Sequence, residues 1–223
     1  MQVSQLSESS QNYVKAIWNL GEWDDTPVTA SVIAARVGVK LSTASDAIRK
    51  LTDQGLVSHA PYGAVSLTEA GRAVALQMVR RHRLIETFLV QTLGYRWDQV
   101  HDEAETLEHA VSDFMVERIA ELLGHPDRDP HGDPIPAPDG SLTSVTAEQL
   151  SAITPPAVVR VERIADDDPQ LLQYFTSCHI TVGSQLTLDE GAPYSGGITI
   201  EVAGERIQLG DAATTAVWVR RED

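Results

Sequence analysis

Apolar and polar positions change period several times along the chain, and each change marks an element. In SESSQNYVKAIWNLGE, Tyr13, Ile17 and Leu20 recur at helical spacing, which predicts a first amphipathic helix with Asn12 near its start. VTASVIAARVGV predicts a short helix with Val32, Ile33, Ala35 and Val37 inward, ended by Gly38. STASDAIRKLTDQG predicts another, with Ser42 as N-cap, Ala44, Ile48 and Leu51 inward, and Gly55 past its end. Two such helices joined by a short turn have the spacing of a helix-turn-helix. LVSHAPYGAVSLT then alternates with period two about Pro61 and Gly63, which predicts the two-stranded wing of a winged helix. Thr68 caps a long helix running to about Leu93, with Leu84, Ile85, Phe88 and Leu89 inward. A further helix is expected from Trp97 to Leu123, stopped by Gly124, with Ala104, Leu107, Val111, Phe114 and Met115 on its apolar arc.

After Gly124 the pattern breaks. HPDRDPHGDPIPAPDGSLTSVTAEQLSAITPP holds seven of the chain's eleven prolines and reads as a connecting segment. From about Ala157, AVVRVERI, HITVGSQLTL, GITIEVAGERIQL and TTAVWVRR are short alternating runs punctuated by Gly, Pro and Asp, which predict a small antiparallel barrel of SH3-like size. The expected fold class is therefore mainly α with a small β portion. Its parts are a winged-helix DNA-binding domain (1–75), a helical dimerisation and metal-binding domain (76–140), a linker (141–156) and an SH3-like domain (157–223).

Composition narrows the class. The single cysteine, Cys178, excludes an internal disulfide framework and a cysteine-rich zinc site, and reads as a small buried hydrophobe. With no run of 18 apolar residues and no leader pattern in MQVSQLSESS, a soluble, cytoplasmic protein is expected. The net charge of −15 argues against nucleic acid until its distribution is considered. Between Arg36 and Arg83, eight Lys or Arg stand against three acids, a local +5, and the remainder carries −20. Phosphate attraction follows the local footprint, so this segment can bind DNA while the acidic remainder discourages indiscriminate binding. The expected contact residues are Lys40, Ser42, Thr43, Ser45, Asp46, Arg49 and Lys50, the small polar ones near base edges and Arg49 and Lys50 on phosphates.

Candidate chemistry lies farther along. In HDEAETLEHAVSD, residues 101–113, His101, Glu105, Glu108 and His109 fall within about 100° of one another on a helical wheel, at the edge of the apolar arc. In RRHRLIETFLV, His82 and Glu86 stand at i and i+4 beside another core stripe. A charged helix is ordinarily a solvated face. Two successive helices carrying convergent imidazoles and carboxylates, joined by a short connection containing Gly94, instead point to a metal pocket between antiparallel helices. Catalytic readings lack their motifs. ETLEH has Glu105 where an inverted zinc-protease motif needs His, and Val79, Asp98 and Thr106 stand where di-iron carboxylate proteins need Glu before each His.

The winged helix, the two-helix ligand set, DPHGDPIP and the terminal barrel together resemble the diphtheria-toxin-repressor family of metal-dependent transcriptional regulators, in its manganese-responsive, three-domain branch. RRHRLIE, HDEAETLEH and DPHGDPIP carry the resemblance most specifically. It implies a primary metal site of Asn12, Glu105, Glu108 and His109, and an ancillary site of His82, Glu86 and His101 completed from the barrel by Asp166. Asp167, Asp168 and Gln170 stand close to Asp166 in sequence, while Arg163 falls where iron-type relatives supply a ligand. Iron-type members carry Cys at the position of Glu105, and many carry Met at that of Asn12. The harder oxygen donors favour Mn2+, with Fe2+ the nearest competitor and room for two ions per subunit. The implied protein is a homodimer on a palindromic double-stranded operator that represses metal-uptake genes. Metal would fix the first helix and set the two winged helices at major-groove spacing, so that metal affinity becomes DNA affinity by linkage. The alternatives are an iron(II)-dependent regulator of the same family, or a metal-independent winged-helix dimer.

Overall fold

The computed structural model describes residues 3–23, 26–60, 63–189 and 197–222. They form two compact units: the chain up to His82 together with Pro136–Ser141, and Arg83–Ile135 together with the chain from Leu142 onward.

The first unit contains α1 (Glu8–Glu22), α2 (Ala30–Val37), α3 (Leu41–Asp53), the hairpin strands β1 (Val57–His59) and β2 (Val65–Leu67), and the first turns of α4 (Glu69–Leu93). Ser7 caps α1 by accepting from Ser10 N, and Thr29 caps α2 by accepting from Val32 N. Gly38 ends α2 in the left-handed conformation at φ 71°, as its place after the last periodic residue predicts. Ile33, Ala44, Ile48, Leu51, Leu56 and Val14 fill the core. Within α2 the inward pair is Ile33 and Ala34, whereas Val32 and Ala35, expected inside, are exposed. On so short a helix the choice of stripe is fixed by what it packs on, not by apolarity alone. The expected Ser42 cap also moves: α3 begins at Leu41, its N-cap is Lys40, and no side chain caps it. β1 and β2 pair antiparallel with Ser58 opposite Ser66, and the Pro61 end of the expected turn lies outside the described residues.

The second unit holds the rest of α4, then α5 (His101–Leu107) and α6 (Asp113–Leu122). The single helix expected from Trp97 to Leu123 is thus divided. Residues 97–99 form a 3-10 turn, α5 ends at Leu107 with Glu108 as its C-cap, and Ser112 starts α6 by accepting from Met115 N. The break resets the helical phase. Val116, Ile119 and Ala120 turn inward, while Phe114 and Met115, expected on the buried arc, are 77% and 47% exposed.

The barrel follows as a six-stranded antiparallel sheet in the order β3-β8-β4-β5-β6-β7. Its strands are β3 (Glu148–Gln149), β4 (Ala157–Ile164), β5 (Gln185–Asp189), β6 (Gly197–Val202), β7 (Glu205–Gly210) and β8 (Val217–Arg221), with α7 (Pro169–Ser177) and α8 (Asp211–Thr215) inserted. Val159, Val161, Phe175, Leu186, Leu188, Ile200 and Val217 form its core, joined by the buried Cys178.

DPHGDPIP is no loose connector. Asp129, His131, Asp133 and Ile135 are buried. Asp129 Oδ1 accepts from His131 N at 2.8 Å and Asp133 N at 2.9 Å, closing a tight loop. Gly132, at φ +91°, lies so close to β4 that a Cβ there would stand 2.1 Å from Glu162 O, and only glycine fits. Asp133 takes a hydrogen bond from Arg163 Nε at 2.7 Å, and Arg83 Nη2 lies 3.3 Å from the same oxygen.

Candidate metal centre and nucleic-acid interface

Glu86 has no exposed surface in the second unit, and two imidazoles flank it. His101 Nδ1 lies 3.6 Å from Glu86 Oε1 and 2.9 Å from Asp166 Oδ2, and His131 Nδ1 lies 3.9 Å from Glu86 Oε2. α4 supplies Glu86, α5 supplies His101, the loop after β4 supplies Asp166, and the glycine-dependent strap supplies His131 and Asp129. Glu86, Asp129 and His131 offer ligand atoms all within 4.8 Å of one another. Trp97 O accepts from His131 Nε2 at 2.8 Å. That bond puts the proton of a neutral ring on Nε2 and turns the Nδ1 lone pair, which has no hydrogen-bond partner, toward the carboxylates.

Electrostatics support a cation here. Burial works against a charge on His101, but the hydrogen bonds and charges of Asp166 and Glu86 outweigh it and push its pKa up to about 11. Burial raises the Asp129 carboxyl to about 8, with Asp133 and Glu86 adding and His131 and Arg83 opposing. His131 is raised too, the charges of Glu86, Asp129 and Asp166 outweighing its burial. Carboxylates therefore dominate a largely buried cluster, its His101 and Asp166 edge partly open, and a positive species, a proton or a divalent metal, is favoured within it.

The other donors follow α5. His101 Nε2 stands 3.9 Å from Glu105 Oε1, one turn on, so its ring has Glu105 on one side and Glu86 with Asp166 on the other. Glu108 is fully buried, and its Oε1 lies 3.6 Å from His109 Nε2. In the first unit, the Asn12 Oδ1 atom on α1 is buried without a hydrogen-bond partner. Lys15 Nζ is 3.5 Å from His82 Nδ1, and His82 precedes Glu86 by one turn of α4.

Of the acids near Asp166, Asp168 is committed elsewhere: it caps α7 by accepting from Gln170 N at 2.9 Å and Leu171 N at 3.2 Å. Arg163 serves as a counterion to Asp133, and its guanidinium lies 4.2 Å over the Trp218 ring. Asp129 and His131 are further candidate donors, and neither lies in a helical repeat that would mark it in the sequence. DPHGDPIP stood out as a motif, but only the folded strap reveals that its side chains turn in.

Lys40, Ser42, Thr43, Ser45, Asp46, Arg49 and Lys50 are all exposed. Asp46 and Arg49 form an ion pair at 2.9 Å, and Ser45 Oγ donates to Leu41 O at 2.8 Å.

A winged helix joined to a helical domain lined with imidazole and carboxylate donors, and to a small barrel, is the architecture of a metal-dependent transcriptional repressor. Comparison with known proteins agrees stretch by stretch. Residues 5–65 match the N-terminal DNA binding domain of iron dependent repressors, 68–137 their metal binding and dimerisation domain, and 148–221 the FeoA domain. The iron-dependent repressor IdeR of Mycobacterium tuberculosis is 31% identical over 234 residues, covering 98% of this chain and 100% of that protein. The diphtheria toxin repressor of Corynebacterium diphtheriae is 30% identical over 216 residues, covering 92% and 94%. A solved manganese-dependent transcriptional repressor in complex with manganese is 50% identical, with a TM-score of 0.91 over 96% of this chain and 100% of that one. The manganese regulator SloR is 34% identical, with a TM-score of 0.80 over 96% and 98%. The chain belongs to the diphtheria-toxin-repressor/IdeR family of metal-dependent transcriptional repressors.

Proposed function

We propose that this repressor is a homodimer activated by Mn(II) for binding a palindromic operator, and that it acts by binding, not catalysis. The observation that carries the choice of ion is the donor set of α5 and the turn that follows it. Glu105 stands beside His101, and a fully buried Glu108 stands beside His109, giving oxygen and imidazole donors with no thiolate. Hard oxygen donors suit Mn(II) better than the later transition metals. The 50% identical manganese-dependent repressor in complex with manganese supports the same ion, while the relatives at 30% and 31% include an iron-dependent repressor, which makes Fe(II) the second reading.

In this reading Glu105, Glu108 and His109 hold one ion. Glu86, His101, Asp166, His131 and Asp129 are candidates for a second. Bound metal supplies positive charge that these buried carboxylates require. The residues do the rest: Trp97 O holds His131 in the tautomer that leaves Nδ1 a donor, and the Gly132 strap holds Asp129 beneath it. Dimerisation is assigned to α6. Phe114, Met115 and Leu122, exposed by 77%, 47% and 65%, lie within about 100° on that helix and form a face that a second copy would cover. No helix among the described residues is long and apolar enough to cross a membrane.

The test is DNA affinity for promoter fragments measured against free Mn(II) and Fe(II). Tightening by Mn(II) at lower free concentration than by Fe(II), reversed by chelator, is expected. Affinity unchanged by chelator would refute the metal switch.

A further inference from the structure

α3 carries its core stripe on Ala44, Ile48 and Leu51, all 0–1% exposed. At roughly 100° per residue, the direction opposite that stripe is occupied by Ser42, Asp46 and Arg49, with Lys50 and Thr43 at its edge. Asp46 is near the middle of this outward face, its side chain 71% exposed. An anion there is unexpected on a helix that meets a polyanion, since it cannot contact phosphate and is repelled by it. Its local use is an ion pair with Arg49 at 2.9 Å, and an exposed pair of this kind adds little to stability. Its neighbour Ser45 already spends its proton on Leu41 O, so the carboxylate of Asp46 is the strongest acceptor on the face.

We propose that Asp46 is a specificity determinant that accepts a hydrogen bond from a cytosine amino group in the major groove. This rests on the reading of α3 as the DNA-contacting helix. In the major groove, guanine presents N7 and O6, and thymine O4, all acceptors that repel a carboxylate. Adenine offers its amino group but sets N7 beside it. Cytosine offers N4 alone, so an acceptor-only side chain selects it over the other three. Arg49 is the positioning residue: one arm of its guanidinium holds the carboxylate, and its other donors remain for a phosphate or for the guanine paired with that cytosine. The acid contributes discrimination instead of affinity. It weakens every non-cognate register by bringing negative charge to phosphate and to the wrong base edge.

The experiment is selection from a pool of duplexes with a randomised central segment by the full-length chain, with Mn(II) in one arm and Fe(II) in another. Wild type is compared with Asp46→Asn and Asp46→Ala, and each substitution of the selected base is then measured by anisotropy. Wild type is expected to select a cytosine at one position of each half-site and to lose about tenfold or more when it is replaced by thymine. Asp46→Ala should lose that preference alone, keep the others, and bind unrelated DNA more tightly. Asp46→Asn should change the preferred base to adenine, because an amide matches the N6 and N7 pair, a gain that no folding defect can imitate. Selected sites unchanged in both variants, with wild type binding normally, would overturn the proposal. No binding by wild type with either ion would overturn the DNA-binding reading and this proposal with it.

Discussion

Replacing Arg163 by Met tests how the strap carrying Asp129 and His131 is held to the barrel. Asp133 is 3% exposed, and Arg163, 8% exposed, donates to it at 2.7 Å. Removing one partner of a buried pair costs about 3–5 kcal/mol when the remaining charge is uncompensated. Here Arg83 Nη2, 3.3 Å from the same oxygen, stays in place and still compensates the carboxylate, so the cost falls below that range, to about 2–3 kcal/mol. Loss of the guanidinium from its position 4.2 Å over Trp218 adds roughly 1 kcal/mol, partly offset by the polarizable sulfur of Met. The total is about 3 kcal/mol. At roughly 2–4 °C per kcal/mol for a chain of this size, calorimetry should find Tm lowered by about 6–12 °C. Asp133→Asn and the double variant complete a cycle whose coupling should exceed about 1 kcal/mol, since the two groups are in contact. A loss below about 0.5 kcal/mol, or strict additivity, would refute the view that this buried pair fastens the strap.

Three further outcomes follow from the same geometry. Glu105→Cys supplies a soft thiolate for a carboxylate, so DNA binding should respond more to Co(II), Fe(II) or Zn(II) and less to Mn(II); unchanged manganese activation would remove Glu105 as the selectivity determinant. Lys50→Ala should weaken binding to all sequences alike and reduce the slope of log K against log salt by about 1, whereas lost specificity at an unchanged slope would contradict a phosphate contact. The Asp98 carboxyl is held below its usual value by the hydrogen bond from Arg96, with burial opposing and Gln173 assisting. Its contribution to stability is therefore present above its unfolded pKa and lost as pH falls through the lower folded one. Urea midpoints of wild type and Asp98→Asn should differ at neutral pH and converge under acid, and a gap that persists below pH ~2 would exclude this linkage.

Much of the architecture was legible because it rests on local information. Helical period, the Thr68 cap and the Gly38 stop depend on residues within a turn or two of one another, and these place α1 to α4 and the wing strands. The imidazole and carboxylate pairs on α4 and α5 were visible for the same reason, since spacing alone sets which side chains share a helical face. What sequence could not settle is whatever depends on neighbours remote in the chain. One local competition also escaped the helical period: Ser112 takes the backbone N–H of Met115 from the continuing helix, and its success turns Phe114 and Met115 outward against their apolarity. The strap reads as proline-rich connector until β4 packs on Gly132 and Arg163 neutralises Asp133, which permits a polar segment to be buried. Only then do Asp129 and His131 join Glu86, His101 and Asp166. Period is a property of one segment, whereas burying a charge requires a countercharge, and the fold alone decides which distant residue provides it.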